Sequence, residues 1–149
     1  MKFLFVLLFV QLAFFCSAHN KVIEEYVNRP DSSYKYSYHS TVNFTGGEAY
    51  VLNVTSQTWL TTKEVSDPIW THWVLIIRPK RVTHFKPLVY ITGSDTRMQA
   101  PTVVPRDFGL AASVAQSVVI VIYQVPHQPV SFPAEPRPRK EDGKKKNFH

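Results

Sequence analysis

The sequence predicts a mixed α/β domain in which an antiparallel hairpin is followed by further strands and one β-α-β crossover unit. Three observations predict it. Residues 34–55 alternate apolar and polar side chains on either side of a Gly-Gly pair, the period of two that marks a hairpin with one face buried. Val118 to Tyr123 is an uninterrupted apolar run, as in strands covered on both faces of a parallel sheet. Between it and an earlier strand at Leu88 to Thr92 lies a stretch of helical period, and two parallel strands joined through a helix form a right-handed crossover.

The chain opens with Met1 and Lys2, then an apolar run from Phe3 to Phe15 broken only by Gln11, then the small residues Cys16, Ser17 and Ala18. A positive start, a hydrophobic stretch and small residues before the cut make a signal peptide over residues 1–18, cleaved after Ala18. The run falls short of the roughly 20 apolar residues that span a bilayer, so no stable membrane anchor is expected and the product is expected to be secreted and extracellular. Cys16 is the only cysteine and leaves with the signal. No disulfide, iron–sulfur cluster, zinc thiolate or cysteine nucleophile is therefore expected, and stability must come from buried apolar surface.

Residues 20–27 place Val22, Ile23, Tyr26 and Val27 on one side of a short helix that Pro30 cannot continue. In the first strand Tyr34, Tyr36, Tyr38, Val42 and Phe44 share one phase, and Lys35, Ser37, His39, Thr41 and Asn43 the other. Together with Tyr50 the tyrosines are expected to form a cross-strand ladder facing the core. Gly46 and Gly47 turn the chain into the second strand, Tyr50 to Thr55. A short turn or helix at Thr61 to Val65 and the Asp67-Pro68 break lead to a covered strand from Trp70 to Arg78, ended by Pro79. Gly93 closes the strand at Leu88 to Thr92, and from Arg106 the residues Phe108, Leu110, Ala111, Val114 and Ala115 trace the helical stripe. Residues 19–133 thus form one modest domain, and residues 134–149 a tail.

The net charge of +6 is uneven: the tail carries six Lys or Arg against three Asp or Glu, and residues 19–133 carry ten against eight. Such a tail is expected to be solvated and disordered; a cell-surface receptor or polyanion is its conceivable partner, and a nucleic acid is not expected. Asn43-Phe44-Thr45 and Asn53-Val54-Thr55 are acceptors for N-glycosylation, and both asparagines fall on the polar phase of the alternation.

Three stretches carry a resemblance. Thr55-Ser56-Gln57-Thr58-Trp59-Leu60, Pro68-Ile69-Trp70-Thr71-His72-Trp73 and Gln124-Val125-Pro126-His127-Gln128-Pro129-Val130 resemble the PhoPQ-activated pathogenicity-related protein family, whose eukaryotic members include secreted autocrine proliferation repressors. The likeness rests on Ser56, Gln57, Trp59, Trp70, His72, Trp73, Gln124, Pro126, Gln128 and Pro129 and spans residues 22–142; His127 stands where the resemblance implies Asn. It implies the N-terminal, incomplete part of an α/β-hydrolase-like fold, since family members continue for several hundred residues. In that fold the nucleophile sits in a G-x-S-x-G turn with the acid and histidine following later. No G-x-S-x-G occurs here, so no catalytic residue is assigned and the chain is expected to be catalytically silent. Two further readings stay open: a non-enzymatic secreted signalling or binding protein, and a remnant of a full-length serine hydrolase or peptidase.

Gly93-Ser94 follows a strand where such a hydrolase places a backbone N–H for its oxyanion hole, and a plain turn is the competing reading. His72, between Trp70 and Trp73, reads as a packed histidine satisfied by nearby backbone or side chains, because no serine or carboxylate partner is placed by sequence. No metal or cofactor is expected. A copper-chelating amino-terminal His19 would need a second histidine at a spacing that nothing sets.

Overall fold

The computed structural model describes residues 21–140. The signal-peptide reading of residues 1–18 and the end of the basic tail lie outside the described residues. The chain divides into two compact units between Asp31 and Ser32. The first contributes helical residues 21–27 (α1), where Val22, Ile23, Tyr26 and Val27 are exposed and Lys21 pairs with Glu25 one turn on. No described helix is long and apolar enough to cross a membrane.

Among the described residues the second unit is a five-stranded sheet with one helix and a two-stranded annex. Its elements are β1 (Lys35–Phe44), β2 (Gly47–Thr58), β3 (Ile69–Pro79), β4 (Leu88–Ile91), β5 (Ser94–Asp95), α2 (Arg106–Ala115), β6 (Val119–Ile122) and β7 (His127–Gln128). The main sheet runs β1-β2-β3-β6-β4, and β5 pairs with β7. β1-β2, β2-β3 and β3-β6 are antiparallel, while β4 and β6 run parallel and are joined through α2. The protein is therefore mixed α/β with a mostly antiparallel sheet, and the hairpin and the parallel β-α-β unit are both present.

Register explains the core. Ala49 and Val51 on β2 lie opposite Ile77 and Leu75 on β3, which lie opposite Val119 and Val121 on β6. These six side chains and Ala112 of α2 form the buried cluster, with Phe44, Trp73 and Phe108 packed at its margin. Gly109 and Ala112 face the sheet because α2 approaches it closely: a Cβ on Gly109 would meet the Phe44 ring at 3.2 Å, and one on Gly46 would meet Ser113 Oγ at 2.2 Å.

Four expectations are corrected. The tyrosines of β1 do not face the core: Tyr36 is 66% and Tyr38 63% exposed. The register shifts between Tyr38 and Ser40, so Val42 pairs with buried Ala49 while Tyr38 pairs with Leu52 on the opposite face. A β-bulge inserts one residue and turns every earlier side chain to the other side, which a single period-two phase does not detect. Second, α2 is rotated from the expected stripe: Phe108, Gly109 and Ala112 point inward, and Leu110 and Val114 are exposed. Small residues win the inward positions because they allow the close approach. Third, β6 has one parallel and one antiparallel neighbour in place of two parallel ones; as a lone helix dictates, α2 covers the face carrying Val119 and Val121 and leaves Ile120 and Ile122 half-buried on the other. Fourth, Asn53 lies on the same face of β2 as Val51 and Thr55 and is half-buried, whereas Asn43 is exposed on the opposite face.

Candidate functional site

The three motif stretches, far apart in sequence, converge at one end of the sheet. The end of β2 supplies Ser56, Gln57 and then Trp59; the start of β3 supplies Trp70, His72 and Trp73; the chain leaving β6 supplies residues 124–130. β2 and β3 are aligned there with a second register shift between Thr55 and Gln57, and Trp59 N–H donates to Pro68 O at 2.7 Å. The bulge leaves Ser56 without a ladder partner, next to His72.

His72 is buried, 6% exposed. Its Nδ1 lies 3.2 Å from Tyr123 O and 3.1 Å from Gln124 O, and its Nε2 lies 2.8 Å from Ser56 Oγ. Carbonyl oxygens only accept, so Nδ1 carries the proton, Nε2 is the acceptor, and the Ser56 hydroxyl donates to it. Burial pushes the His72 pKa below its ordinary value, against the raising effect of the two carbonyl bonds, and the ring is held neutral. Among the described residues no carboxylate bonds to His72. The pair thus has a hydroxyl bound to an imidazole, but main-chain carbonyls stand where a hydrolase triad has its acid.

Gln124 locks the cluster. Its backbone is left-handed, φ 62°, and its side chain is buried. Oε1 accepts from Trp73 N–H at 3.2 Å, while Nε2 donates to Asp95 O and Thr96 O at 3.2 and 3.1 Å. One side chain therefore ties β3, the β5 loop and the chain after β6. The peptide bonds before Pro126 and Pro129 are cis. His127, 4% exposed, stacks on Trp70 and sets its edge against His72. Its Nδ1 lies 3.2 Å from Thr71 O and its Nε2 3.3 Å from an Asp67 carboxylate oxygen. Both partners are acceptors, so the ring makes both bonds only when doubly protonated.

Trp59, Trp70 and Phe132 meet edge to face and line a cleft of about 270 Å³ with Pro126, Val130 and Arg139. Arg139 lies over the Phe132 ring and pairs with Glu135, and a bridge between Val130 and Arg139 closes the intervening loop. The buried Trp70 indole N–H finds no acceptor among the described residues.

Gly93 and Ser94 sit beside this cluster. Ser94 opposes His127 in the β5-β7 ladder, and its hydroxyl contacts Met98 Sδ at 3.2 Å. They are not brought to Ser56 or His72 by any described contact. Asn43 and Asn53 lie on opposite faces of the hairpin; Asn43 pairs with Glu48, away from the motif cluster, whereas Asn53 lies opposite Trp73 of that cluster. Among the described residues no group of three His, Cys, Asp or Glu is placed to hold a metal ion.

Sequence reasoning missed two contacts, Ser56 with His72 and Asp67 with His127. The first was reachable: pairing the strands about the Asp67-Pro68 break brings positions 56 and 72 together once a bulge is allowed. Nothing in the sequence signals the Asp67 contact, which depends on the course of the chain after β6.

The family model described as PhoPQ-activated pathogenicity-related protein matches residues 23–144. The chain is 32% identical over 139 residues to autocrine proliferation repressor protein A of Dictyostelium discoideum, an alignment covering 92% of this chain and 28% of that protein. The chain thus spans just over a quarter of its relative's length. No solved structure matches significantly. The converging Ser, Trp, His and Gln positions together with this match establish that the chain belongs to the PhoPQ-activated pathogenicity-related protein family.

Proposed function

We propose that this chain is a secreted, catalytically silent recognition module: the N-terminal part of an α/β-hydrolase-like domain that acts as an extracellular signal in the manner of a proliferation repressor. The observation that carries the silent reading is the Ser56–His72 pair. A serine nucleophile needs a base that can take its proton and a group that stabilises the resulting imidazolium. Here His72 is buried, its pKa is depressed, and Nδ1 faces two neutral carbonyls. An imidazolium formed there would lack a counter-charge, so the pair serves better as a hydrogen-bonded brace than as an acyl-transfer centre.

The signalling part rests on the likeness to the Dictyostelium repressor. Its test is addition of the purified secreted chain to proliferating cells of the organism that makes it. The expected result is slower accumulation of cells, with folded Ser56→Ala protein equally effective. An effect that disappears with the Ser56 hydroxyl, while the fold persists, contradicts a non-catalytic signal.

A second reading is favoured by one feature of the sheet. β4 runs parallel to β6, is joined to it through α2, and has no described strand on its outer edge. The next parallel strand of a hydrolase-like sheet would pair there, and that strand's turn would carry the nucleophile. Under this reading the chain is the opening portion of a full-length serine hydrolase or peptidase, and Gly93-Ser94, directly after β4, is its oxyanion-loop element. Sequencing the transcript beyond the Asp142 codon tests it: an in-frame G-x-S-x-G supports the hydrolase parent, and a stop codon in abundant message counts against it.

A further inference from the structure

We propose that the sheet face opposite α2 is a homodimer interface, occupied by the same face of a second copy. The register lays out that face in rows. Thr41, Tyr50, Ile76, Ile120 and Val89 form one row across all five strands, and Tyr38, Leu52, Val74, Ile122 and Ile91 form the next. Every position but Thr41 is apolar or aromatic. Val89, Ile91, Tyr36 and Tyr38 are exposed, and the residues between them are only half-buried. The buried cluster lies wholly on the α2 side; on this face the segment at Val82 and Phe85 borders Ile120 at one end, and His127 packs against His72 at the other.

Size and charge argue for a second copy. Five strands at about 4.8 Å spacing and two rows at about 6.8 Å make a plan area on the order of 330 Å². Side chains standing above the plane raise the accessible area toward the roughly 800 Å² per partner that a stable interface buries. The two rows carry no charge, and at their end Glu48 and Arg78 pair with each other at 3.1 Å. A neutral patch can therefore meet itself across a two-fold axis without like-charge repulsion, although the whole chain is basic. A strongly charged partner finds no complement here. Tyr36, Tyr38 and Tyr50 supply the aromatic anchors typical of interface centres, and two such faces stack as an aligned β-sandwich. Asn43 lies one row beyond the apolar rows, so a glycan on it would stand at the rim.

This inference does not depend on the signalling role, since it uses only the sheet. Sedimentation of the full secreted chain over roughly 1 to 100 µM tests it. The expected result is a dimer whose dissociation constant rises at least tenfold in Tyr38→Lys and in Ile91→Lys. Both sites are exposed, so both variants are expected to keep the circular dichroism of the parent. Leu110→Lys, on the exposed side of α2, is expected to dimerise like the parent. A wild-type chain that stays monomeric across the range overturns the proposal. So does a dimer that survives both face substitutions, or one that Leu110→Lys disrupts equally.

Discussion

His72 concentrates the chemistry of the motif cluster, and its protonation state has a measurable consequence. Its pKa in the fold is depressed by burial below the value it takes when unfolded. The unfolded chain therefore binds more protons as pH falls below about 6.5, and the stabilisation present above that pH is lost as pH drops toward the folded value. Thermal melting at pH 7.5 and pH 5 is expected to show a lower midpoint at pH 5, with a smaller difference in His72→Gln. An equal pH response in that variant would assign the effect to other groups. Gln124 is the second such residue. Its side chain satisfies one backbone N–H and two carbonyls, and Gln124→Ala is expected to cost about 1–3 kcal/mol in urea unfolding, the usual penalty for buried polar groups left unpaired. A loss below about 0.5 kcal/mol would mean that water replaces all three bonds. The participation of both residues was legible, since unusual Gln, Trp, His and Pro spacings drew attention to their segments. Apart from Ser56, their partners were not, because those are backbone atoms 28 to 52 positions away.

At the scale of elements, strand and helix identities followed from local period, while their orientations did not. The β1 alternation was genuine, yet one inserted residue between Tyr38 and Ser40 sent three tyrosines outward. The helix began at Arg106 as its sequence implies, but hydrophobicity pointed to Leu110 and Val114 while packing selected Gly109 and Ala112. Steric access to Phe44 outweighed side-chain hydrophobicity, and access is a property of the neighbouring strand. The rotation of α2 is testable by paired substitutions. Ala112→Leu overfills a fully buried position and is expected to destabilise by about 1–3 kcal/mol. Leu110→Gln, on the exposed side, is expected to change stability by less than about 0.5 kcal/mol. The reverse ranking would restore the stripe read from sequence.

The whole molecule divides its properties between a nearly neutral domain and a basic end. Heparin retention is accordingly expected to fall steeply with added salt and to be lost when the residues after Arg139 are removed. Retention by the shortened chain at the same salt would place a polyanion contact on the domain. Across this scale the order hairpin, strand, β-α-β was legible because hydrophobic period and glycine or proline breaks are local signals. The open face was legible only in part: one helix cannot cover both sides of β6, but the two continuous rows required the register of five strands. The central claim is that the Ser56–His72 pair braces the sheet and performs no acyl transfer. Intact-mass measurement of the secreted chain after exposure to a fluorophosphonate tests it most directly. The expected spectrum is that of a chain beginning at His19 without adduct, and a phosphonyl adduct mapped to Ser56 and absent from His72→Gln would contradict the account.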